Sequence, residues 1–139
     1  MDRTFLDTNV LLYADDASAG AKTTRARDGV AELAASGRAV VSTQVLQEFF
    51  VIATKKLRLP AAVARQRVET FAALEVVLIQ TDLILGAIDL HRLHSLSFWD
   101  ALIIRAASAA GCTRLWSEDL QHGRTLEGVR IENPFLTQP

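Results

Sequence analysis

The sequence has only one cysteine, Cys112, and its three histidines show no spacing with cysteine that would form a zinc site. A single cysteine excludes an internal disulfide and is typical of proteins that work in a reducing compartment. A glycine-rich phosphate loop and a G-x-S-x-G serine elbow are also missing. These absences argue against a zinc enzyme, a P-loop protein and a serine hydrolase of that kind.

Long apolar runs and a strong charge of one sign are absent as well. The longest uninterrupted apolar stretches, such as residues 49–53, fall far short of the about 20 residues that cross a bilayer, and the first residues show no signal-peptide core. The formal net charge of −1 argues against nucleic-acid binding through overall positive charge but allows a local basic surface. We expect a cytoplasmic protein without membrane association.

What the chain does contain is enough apolar sequence for one folded domain over residues 1–139. Half of the residues are hydrophobic and 22% are charged, as in soluble globular proteins. Short β-like runs alternate with longer helical runs, and no linker or internal repeat interrupts them. This alternation predicts an α/β fold with a mostly parallel sheet and helices on both faces.

The predicted elements follow from apolar periodicity and capping residues. Strands are expected at residues 3–6, 39–41, 76–79, 114–116 and 129–131, with the strand at 76–79 buried. Helices are expected over residues 10–13, 24–35, 81–93 and 97–110, after residue 43 and from residue 60. The expected N-caps are Thr8 or Asn9, Ser42 or Thr43, Thr81 and Ser97.

Four acidic residues lie in or beside apolar runs, and none has a lysine or arginine as a sequence neighbour. They are Asp7, Glu48, Asp100 and Asp119. Because carboxylates are rarely buried without a partner, a fold that gathers these four needs a cation. A hard divalent ion with oxygen ligands is the simplest candidate. Asp7 and Asp119 also follow predicted strands, at the strand ends where parallel sheets bind ligands. The pattern indicates a metal-dependent phosphodiester hydrolase.

Each acid also has a purely structural interpretation. Asp7 and Asp119 are common turn or cap residues. Asp100 completes an S-x-x-D pattern that is typical of a helix N-terminus. Glu48 lies beside the apolar stripe of its helix, where a glutamate is often solvated. No single acid therefore identifies a site, and the hypothesis depends on the four together.

Four segments together resemble the PIN-domain nucleases, and within them the VapC-type toxin ribonucleases of prokaryotic toxin–antitoxin pairs. In family order they are Phe5-Leu6-Asp7-Thr8-Asn9-Val10, Gln47-Glu48-Phe49, Ser97-Phe98-Trp99-Asp100-Ala101-Leu102-Ile103 and Leu115-Trp116-Ser117-Glu118-Asp119-Leu120. Residues 131–135 also look familial. The likeness spans nearly the whole chain, and it implies a single PIN-like α/β/α sandwich around a central parallel sheet.

The resemblance also implies a magnesium or manganese site and the residues that form it. The implied site residues are Asp7, Glu48, Asp100 and Asp119, with Asn9 and Ser117 in support. Asp7 and Asp100 would be the main ligands, and either Glu48 or Asp119 would orient or deprotonate the attacking water. One or two ions fit this description. The implied activity is endonucleolytic cleavage of RNA, and the implied partners are an antitoxin that occludes the pocket and a second copy of the chain.

Between Glu48 and Glu69 every charged residue is positive. We call this set the cationic stripe, and its members are Lys55, Lys56, Arg58, Arg65 and Arg67. They bracket Leu59-Pro60, so we expect them on a helical hairpin. The stripe is either a solvated face or a surface that contacts the RNA backbone. Phe98 and Trp99 are expected in the core rather than against bases.

Other functions remain to be weighed against this one. The acidic pair Asp15-Asp16 suggests a receiver domain, but such domains need a late lysine and the last lysine here is Lys56. A non-catalytic PIN module that binds RNA or protein would be expected to lack one of the acids. A PIN nuclease that cleaves DNA, or one that processes RNA without a toxin role, stays an open alternative.

Overall fold

The computed structural model describes residues 2–136, in which strands and helices alternate along the chain. The strands are β1 (Thr4–Leu6), β2 (Ala39–Ser42), β3 (Glu75–Val77), β4 (Arg114–Trp116), β5 (Thr125–Leu126) and β6 (Val129–Glu132). The helices are α1 (Thr8–Asp15), α2 (Ala21–Ala35), α3 (Thr43–Lys55), α4 (Ala61–Ala72), α5 (Thr81–Leu93) and α6 (Phe98–Ala109). A short 3₁₀ turn (Ala17–Ala19) separates α1 from α2.

The strands form one sheet in the order β3-β2-β1-β4-β6-β5. Every neighbouring pair is parallel except β5 with β6. The chain runs outward from β1 to β3 and then returns to the other side of β1 with β4. The strand order therefore reverses between β1 and β4, which is where parallel sheets bind ligands. The predicted α/β class with a mostly parallel sheet is confirmed.

The core lies along the central strands, which are buried on both sides. Phe5, Val40 and Leu115 represent these strands, and each is almost fully buried. Runs of this kind are expected when helices cover both faces of a parallel sheet. Helix α2 approaches β4 closely through Gly29, where a Cβ atom would lie 2.5 Å from the ring of Trp116. Only glycine fits that contact without movement of the ring.

The strand expected at residues 76–79 is not buried. It forms as β3 at the edge of the sheet, where it pairs with β2 alone. Val76 and Val77 are only partly covered, and Leu78, beyond the strand, is 60% exposed. An edge strand has one neighbour instead of two, so an apolar run there does not ensure burial. The two-residue strand β5 was not expected, because a pairing this short leaves no periodicity to detect.

Two of the expected helix caps are confirmed and two are wrong. Helix α1 begins at Thr8, and its N-cap is Asp7 rather than Thr8 or Asn9. The hydroxyl of Ser42 accepts from the backbone N–H of Val45 at 3.3 Å, and that of Ser97 from the N–H of Asp100 at 3.1 Å. Helix α5, by contrast, begins at Thr81 itself, and Gln80 before it makes no side-chain cap.

The structure also bears on the single cysteine and on the length of the apolar helices. Cys112 is buried, and burial raises the pKa of its thiol to about 11, so the thiol stays protonated at neutral pH. Within residues 2–136, no helix combines the length and apolar character needed to cross a membrane.

Candidate active site

The four acids lie around one cavity at the point where the strand order reverses. Asp7 follows β1, Asp119 lies in the loop after β4, Glu48 is in the second turn of α3 and Asp100 is in the first turn of α6. All four line a cavity of about 130 Å³, which we call the acid cavity. Thr8, Asn9, Gln44 and Trp99 are among its other lining residues. Residues that are up to 112 positions apart in sequence thus meet at one place.

Asp7 is the most deeply buried of the four, with 6% of its surface exposed. Its Oδ1 accepts from the backbone N–H of Thr8 at 2.7 Å, and its Oδ2 accepts from the Ser117 hydroxyl at 2.7 Å. Burial raises the pKa of Asp7 to about 6, although these two hydrogen bonds pull it down. The nearby charges of Asp119 and Glu48 add to the increase.

Asn9 and Ser117 tie the two strand ends together. The Asn9 amide donates to Asp119 Oδ2 at 3.0 Å and lies 3.4 Å from Asp7 Oδ2. Its carbonyl oxygen accepts from the backbone N–H of Glu118 at 3.1 Å. The Ser117 hydroxyl accepts from the N–H of Asp119 at 3.1 Å while it donates to Asp7. Both residues therefore lie where the predicted supporting role requires them.

Glu48 is partly buried, and two side chains hold its carboxylate. Oε2 accepts from the Thr8 hydroxyl at 2.8 Å, and Oε1 accepts from the Gln44 amide at 2.9 Å. The sequence interpretation missed both donors. Gln44 precedes Glu48 by four residues, and side chains at that spacing share a helix face, so this contact was detectable in principle. The contact with Thr8 joins two distant segments and left no local signal.

The position of Asp100 is compatible with both of the interpretations that the sequence allows. It lies in the capped first turn of α6, and it also lines the acid cavity. Burial raises the pKa of its carboxyl, contact with Ser97 partly offsets this, and the charges of Asp119 and Glu48 raise it further. Its place in the first turn therefore does not keep its carboxyl away from the cavity.

The four acids differ in burial, although all four lie in or beside apolar runs of the sequence. Asp7 is buried, Glu48 and Asp100 are half-buried, and Asp119 is exposed. The apolar neighbours of Asp119 in sequence, Trp116 and Leu120, turn into the core while its own carboxylate faces the cavity mouth. The acid cavity therefore opens to solvent on the side of Asp119.

A second cluster next to the cavity was not predicted. Glu118 accepts from the Tyr13 hydroxyl at 2.6 Å and from the Lys22 ammonium at 2.7 Å. Burial pushes the pKa of Glu118 up, but the hydrogen bonds from Lys22 and Tyr13 outweigh it and the net shift is downward. The cluster joins positions 13, 22 and 118, and nothing in their local sequence links them. It fixes the loop that carries Asp119 against α1 and α2.

The donor set of the acid cavity suits a hydrated hard cation. Within residues 2–136 none of the four acids forms a salt bridge, and no lysine or arginine lines the cavity. The buried Oε1 of Gln44 has no hydrogen-bond partner there. In the same residues, no three histidine, cysteine or carboxylate side chains form a ready-made metal cage. Magnesium does not need one, because it keeps several waters and takes only one or two carboxylates.

The cationic stripe divides into two parts. Lys55, Lys56 and Arg58 are exposed around the turn between α3 and α4, and none forms a salt bridge with a described residue. Arg65 instead pairs with Glu69 on its own helix, and Arg67 pairs with Asp15 of α1 at 3.0 Å. The expected helical hairpin is present, and two of its five cations are engaged within the protein.

The expectation that Phe98 and Trp99 lie in the core is wrong for Trp99. Phe98 packs partly against the core, whereas Trp99 is 62% exposed and lines the acid cavity. The two rings sit at the first turn of α6, where the side chains of consecutive residues diverge by about 100° around the axis. One ring can therefore face the core while the other faces solvent.

A family model described as the PIN domain matches residues 4–125, and the chain therefore belongs to the PIN-domain family. No curated protein matches the sequence at a significant level. This assignment covers all four acids of the cavity, since residues 7 to 119 fall inside the matched range.

Solved structures with the same fold include several toxin–antitoxin proteins. A Mycobacterium tuberculosis VapC20 toxin, described as cleaving the sarcin–ricin loop, superposes with a TM-score of 0.64 at 21% identity, over 84% of this chain and 89% of that one. A toxin–antitoxin complex from Klebsiella pneumoniae gives a TM-score of 0.70 at 18% identity, with 95% and 98% covered. DNA-bound VapBC from Salmonella typhimurium gives 0.70 at 21% identity, with 96% and 99% covered. At such identities the likeness establishes the fold.

The raised pKa of Asp7 predicts how the stability of the metal-free protein depends on pH. Between about pH 4 and pH 6 the folded state binds a proton at Asp7 that the unfolded state, with a pKa of about 3.9, has already released. Stability should therefore fall as pH rises through this window and stay at the lower value above it. Asp7→Asn cannot titrate. We expect the unfolding free energy of wild type relative to this variant to drop by roughly 2–3 kcal/mol between pH 4 and pH 7. Urea unfolding of dialysed, metal-free proteins measures this difference, and a constant difference would contradict the assignment.

Asp100 gives a prediction that separates a ligand position from a helix cap. Because its carboxyl disfavours ionisation, metal-free Asp100→Asn should melt at a higher temperature than metal-free wild type at neutral pH. Magnesium should stabilise wild type by mass action and the variant much less. A cap alone predicts the opposite sign, since removal of an acid from a first helical turn costs about 0.3–1 kcal/mol.

Thermal melts of both proteins, with chelator and with magnesium, measure this difference. Asp28→Asn, an exposed acid on α2, is the matched control and should respond to magnesium as wild type does. Should Asp100→Asn melt lower than wild type, with no magnesium effect on either protein, Asp100 would be a cap and not a ligand.

Proposed function

We propose that this PIN-domain chain is a metal-dependent endoribonuclease and the toxin of a toxin–antitoxin pair. The observation that carries the proposal is the acid cavity, where four carboxylates from four separate segments meet at the reversal of strand order. Among the described residues, no basic side chain lines this cavity. Such a site attracts a cation rather than a second anion. A phosphodiester can enter it only together with positive charge, which is the requirement of metal-assisted hydrolysis.

Asp7 and Asp100 would be the main ligands of a magnesium or manganese ion, with Glu48 and Asp119 completing the set. When bound, the ion supplies an acidified water and neutralises charge that develops on the phosphate. The hydrogen bonds to Asp7 from Thr8 and Ser117 hold one orientation of its carboxylate before any ion arrives. Preorganisation of this kind lowers the cost of assembling the site.

The hydrogen bonds favour Asp119 over Glu48 as the group that takes a proton from the attacking water. Both oxygens of Glu48 already accept hydrogen bonds, from Thr8 and Gln44. Asp119 accepts one, at Oδ2 from Asn9, and it is exposed at the cavity mouth. Its Oδ1 is therefore the better placed acceptor for a water proton.

An antitoxin partner is proposed from the structures that share this fold. The complexes from Klebsiella pneumoniae and Salmonella typhimurium are toxin–antitoxin assemblies, and this chain covers almost the whole of each matched chain. We infer that a cognate antitoxin inhibits this protein by blocking access to the acid cavity. The homodimer that the family resemblance implies stays a prediction, which light scattering of the purified chain tests.

Cleavage of RNA should require a divalent ion and the acid cavity. We predict that the pure protein cuts single-stranded or looped RNA with magnesium or manganese and stops when a chelator is in excess. Asp7→Asn and Asp100→Asn should each lower the rate by at least about 100-fold, because each removes a charge that the ion needs. Gel analysis of end-labelled RNA measures the rates.

The control for these variants is Asp28→Asn, which removes one exposed acid and should keep the wild-type rate. Undiminished cleavage in excess chelator would exclude the metal-dependent mechanism. A parallel assay with single-stranded DNA of the same sequence separates the ribonuclease from the DNA nuclease. Growth arrest on induction, relieved by Asp7→Asn, would support the toxin role over RNA processing.

The unpaired part of the cationic stripe is the proposed contact for the RNA backbone. Glu48, Ile52 and Lys55 follow each other at spacings of four and three residues, so they share one face of α3. Glu48 and Ile52 line the acid cavity, and Lys55 continues their row away from it. Arg65 and Arg67, which are already paired, would contribute less.

Replacement of Lys55 and Lys56 together by alanine should weaken RNA binding and flatten its salt dependence. For a single strand, the logarithmic salt slope should decrease by roughly 0.7 for each phosphate that the protein no longer neutralises. Arg92→Ala with Arg130→Ala removes the same charge from two exposed positions outside the stripe and serves as the control. Equal salt slopes for the two double variants would show that Lys55 and Lys56 do not contact the RNA backbone and belong to a solvated face.

A further inference from the structure

Trp99 holds a large aromatic ring in solvent at the edge of the acid cavity. Its exposed fraction of 62% is high for an indole, which usually gains from burial. The ring is nevertheless held in place, because Phe98 packs edge-on against it with 5.1 Å between ring centroids and 78° between the planes. A held, exposed aromatic surface beside a site is suited to stacking with a flat ligand.

A groove of about 390 Å³ starts at this ring and runs along α3. We call it the Trp99 groove, and it is lined by Gln44, Gln47, Glu48, Val51, Ile52 and Trp99. Four of these residues, Gln44, Glu48, Ile52 and Trp99, also line the acid cavity. The groove and the cavity therefore share a wall, and a ligand that fills one lies next to the other.

We propose that the Trp99 groove binds one unpaired nucleobase of the RNA, next to the phosphate that enters the acid cavity. The proposal rests on the proposed function and adds a substrate subsite to it. The indole of Trp99 stacks on the base, and Val51 and Ile52 of α3 supply apolar wall. Gln47 is exposed in the groove, and its amide can both donate to and accept from a base edge.

Size and surroundings favour a nucleobase over a protein segment. A volume of this order suits one small planar ligand. A second apolar groove continues along α3 through Gln47 and Val51, but none of its lining residues (Leu46, Gln47, Phe50, Val51, Arg65 and Val68) lines the acid cavity. The wall that the groove shares with the acid cavity carries one carboxylate, that of Glu48, so the groove itself favours a neutral ring over an acidic side chain. On the other side, Lys55 follows Val51 by four residues and therefore lies in the same row of α3. A nucleotide fits this arrangement, with its base against the indole of Trp99 and a neighbouring backbone phosphate near Lys55.

The test compares RNA that has bases with a polymer that has none. Oligouridylate, oligoadenylate and a base-free ribose-phosphate oligomer of equal length are titrated into protein that holds calcium in place of magnesium, since calcium also takes oxygen ligands. Gels confirm that the oligomers stay intact, and fluorescence anisotropy of the labelled oligomer gives each Kd. The ratio of two Kd values cancels the phosphate contribution, since all three carry the same charges. Stacking on one aromatic side chain should make at least one base-bearing oligomer bind roughly 5- to 100-fold more tightly to wild type.

Trp99→Ala should bring this ratio close to one, and Trp99→Phe should retain part of it. Leu93→Ala, which removes an exposed apolar side chain from the end of α5, is the control and should keep the wild-type ratio. Trp116 is buried against α2, so quenching of tryptophan emission by oligouridylate in wild type should report on Trp99. Equal melting temperatures of wild type and Trp99→Ala would show that the fold is intact.

Each outcome separates the subsite from the ribonuclease itself. If the ratio in Trp99→Ala equals that in wild type, the base subsite is excluded and the groove is left to a protein partner. If wild type cuts RNA but binds all three oligomers equally, the subsite fails and the nuclease stands. If wild type cuts no RNA and Trp99→Ala still abolishes base-dependent binding, the subsite stands and the nuclease fails.

Discussion

The carboxylate of Asp7, buried where the strand order reverses, is the group on which the rest of the site depends. A buried negative charge is costly unless donors are aimed at it. Here the donors are the N–H of Thr8 and the hydroxyl of Ser117, which come from the two sides of the reversal. The contacts that stabilise this charge therefore also join β1 to β4. Asn9 extends the same connection to Asp119.

The part of the site that follows strand ends could be predicted from the sequence. Asp7 and Asp119 come after short apolar runs, and parallel sheets bring such positions together. The sequence evidence for Glu48 and Asp100 is weaker. A position beside the apolar stripe of a helix accounts for Glu48, and a helix N-terminus accounts for Asp100, without any functional site. In the structure Asp100 lies in the capped first turn of α6 and also lines the cavity, so its position is compatible with both interpretations. Only contacts between distant segments could decide this, and one sequence does not contain them.

The burial of an apolar residue and the pairing of a charged one both depend on neighbours that are often distant in sequence. The run at residues 76–79 looks like a central strand, but β3 has a partner on one side only. Trp99 looks like core because it sits among apolar residues, but its direction on α6 takes it to the cavity mouth. Arg65 and Arg67 look like free cations because their partners, Glu69 and Asp15, are decided by helix geometry and tertiary packing. The composition shows which residues can be buried or paired, and the tertiary structure decides which of them are.

Two adjacent acids, Glu118 and Asp119, have donors of different charge. The carboxylate of Glu118 accepts hydrogen bonds from the Lys22 ammonium and the Tyr13 hydroxyl, so its charge is neutralised by a residue of the protein itself. Asp119, the next residue, receives only the neutral amide of Asn9. Asp7 and Glu48 likewise have neutral donors alone among the described residues. Neutral donors orient a carboxylate without cancelling its charge, so the negative potential of the cavity remains. A lysine in the cavity would stabilise the fold more, but it would occupy the place that an external cation needs. The neutral donors and the lack of a lysine or arginine in the lining, among the described residues, are the physical support for the proposed cation site.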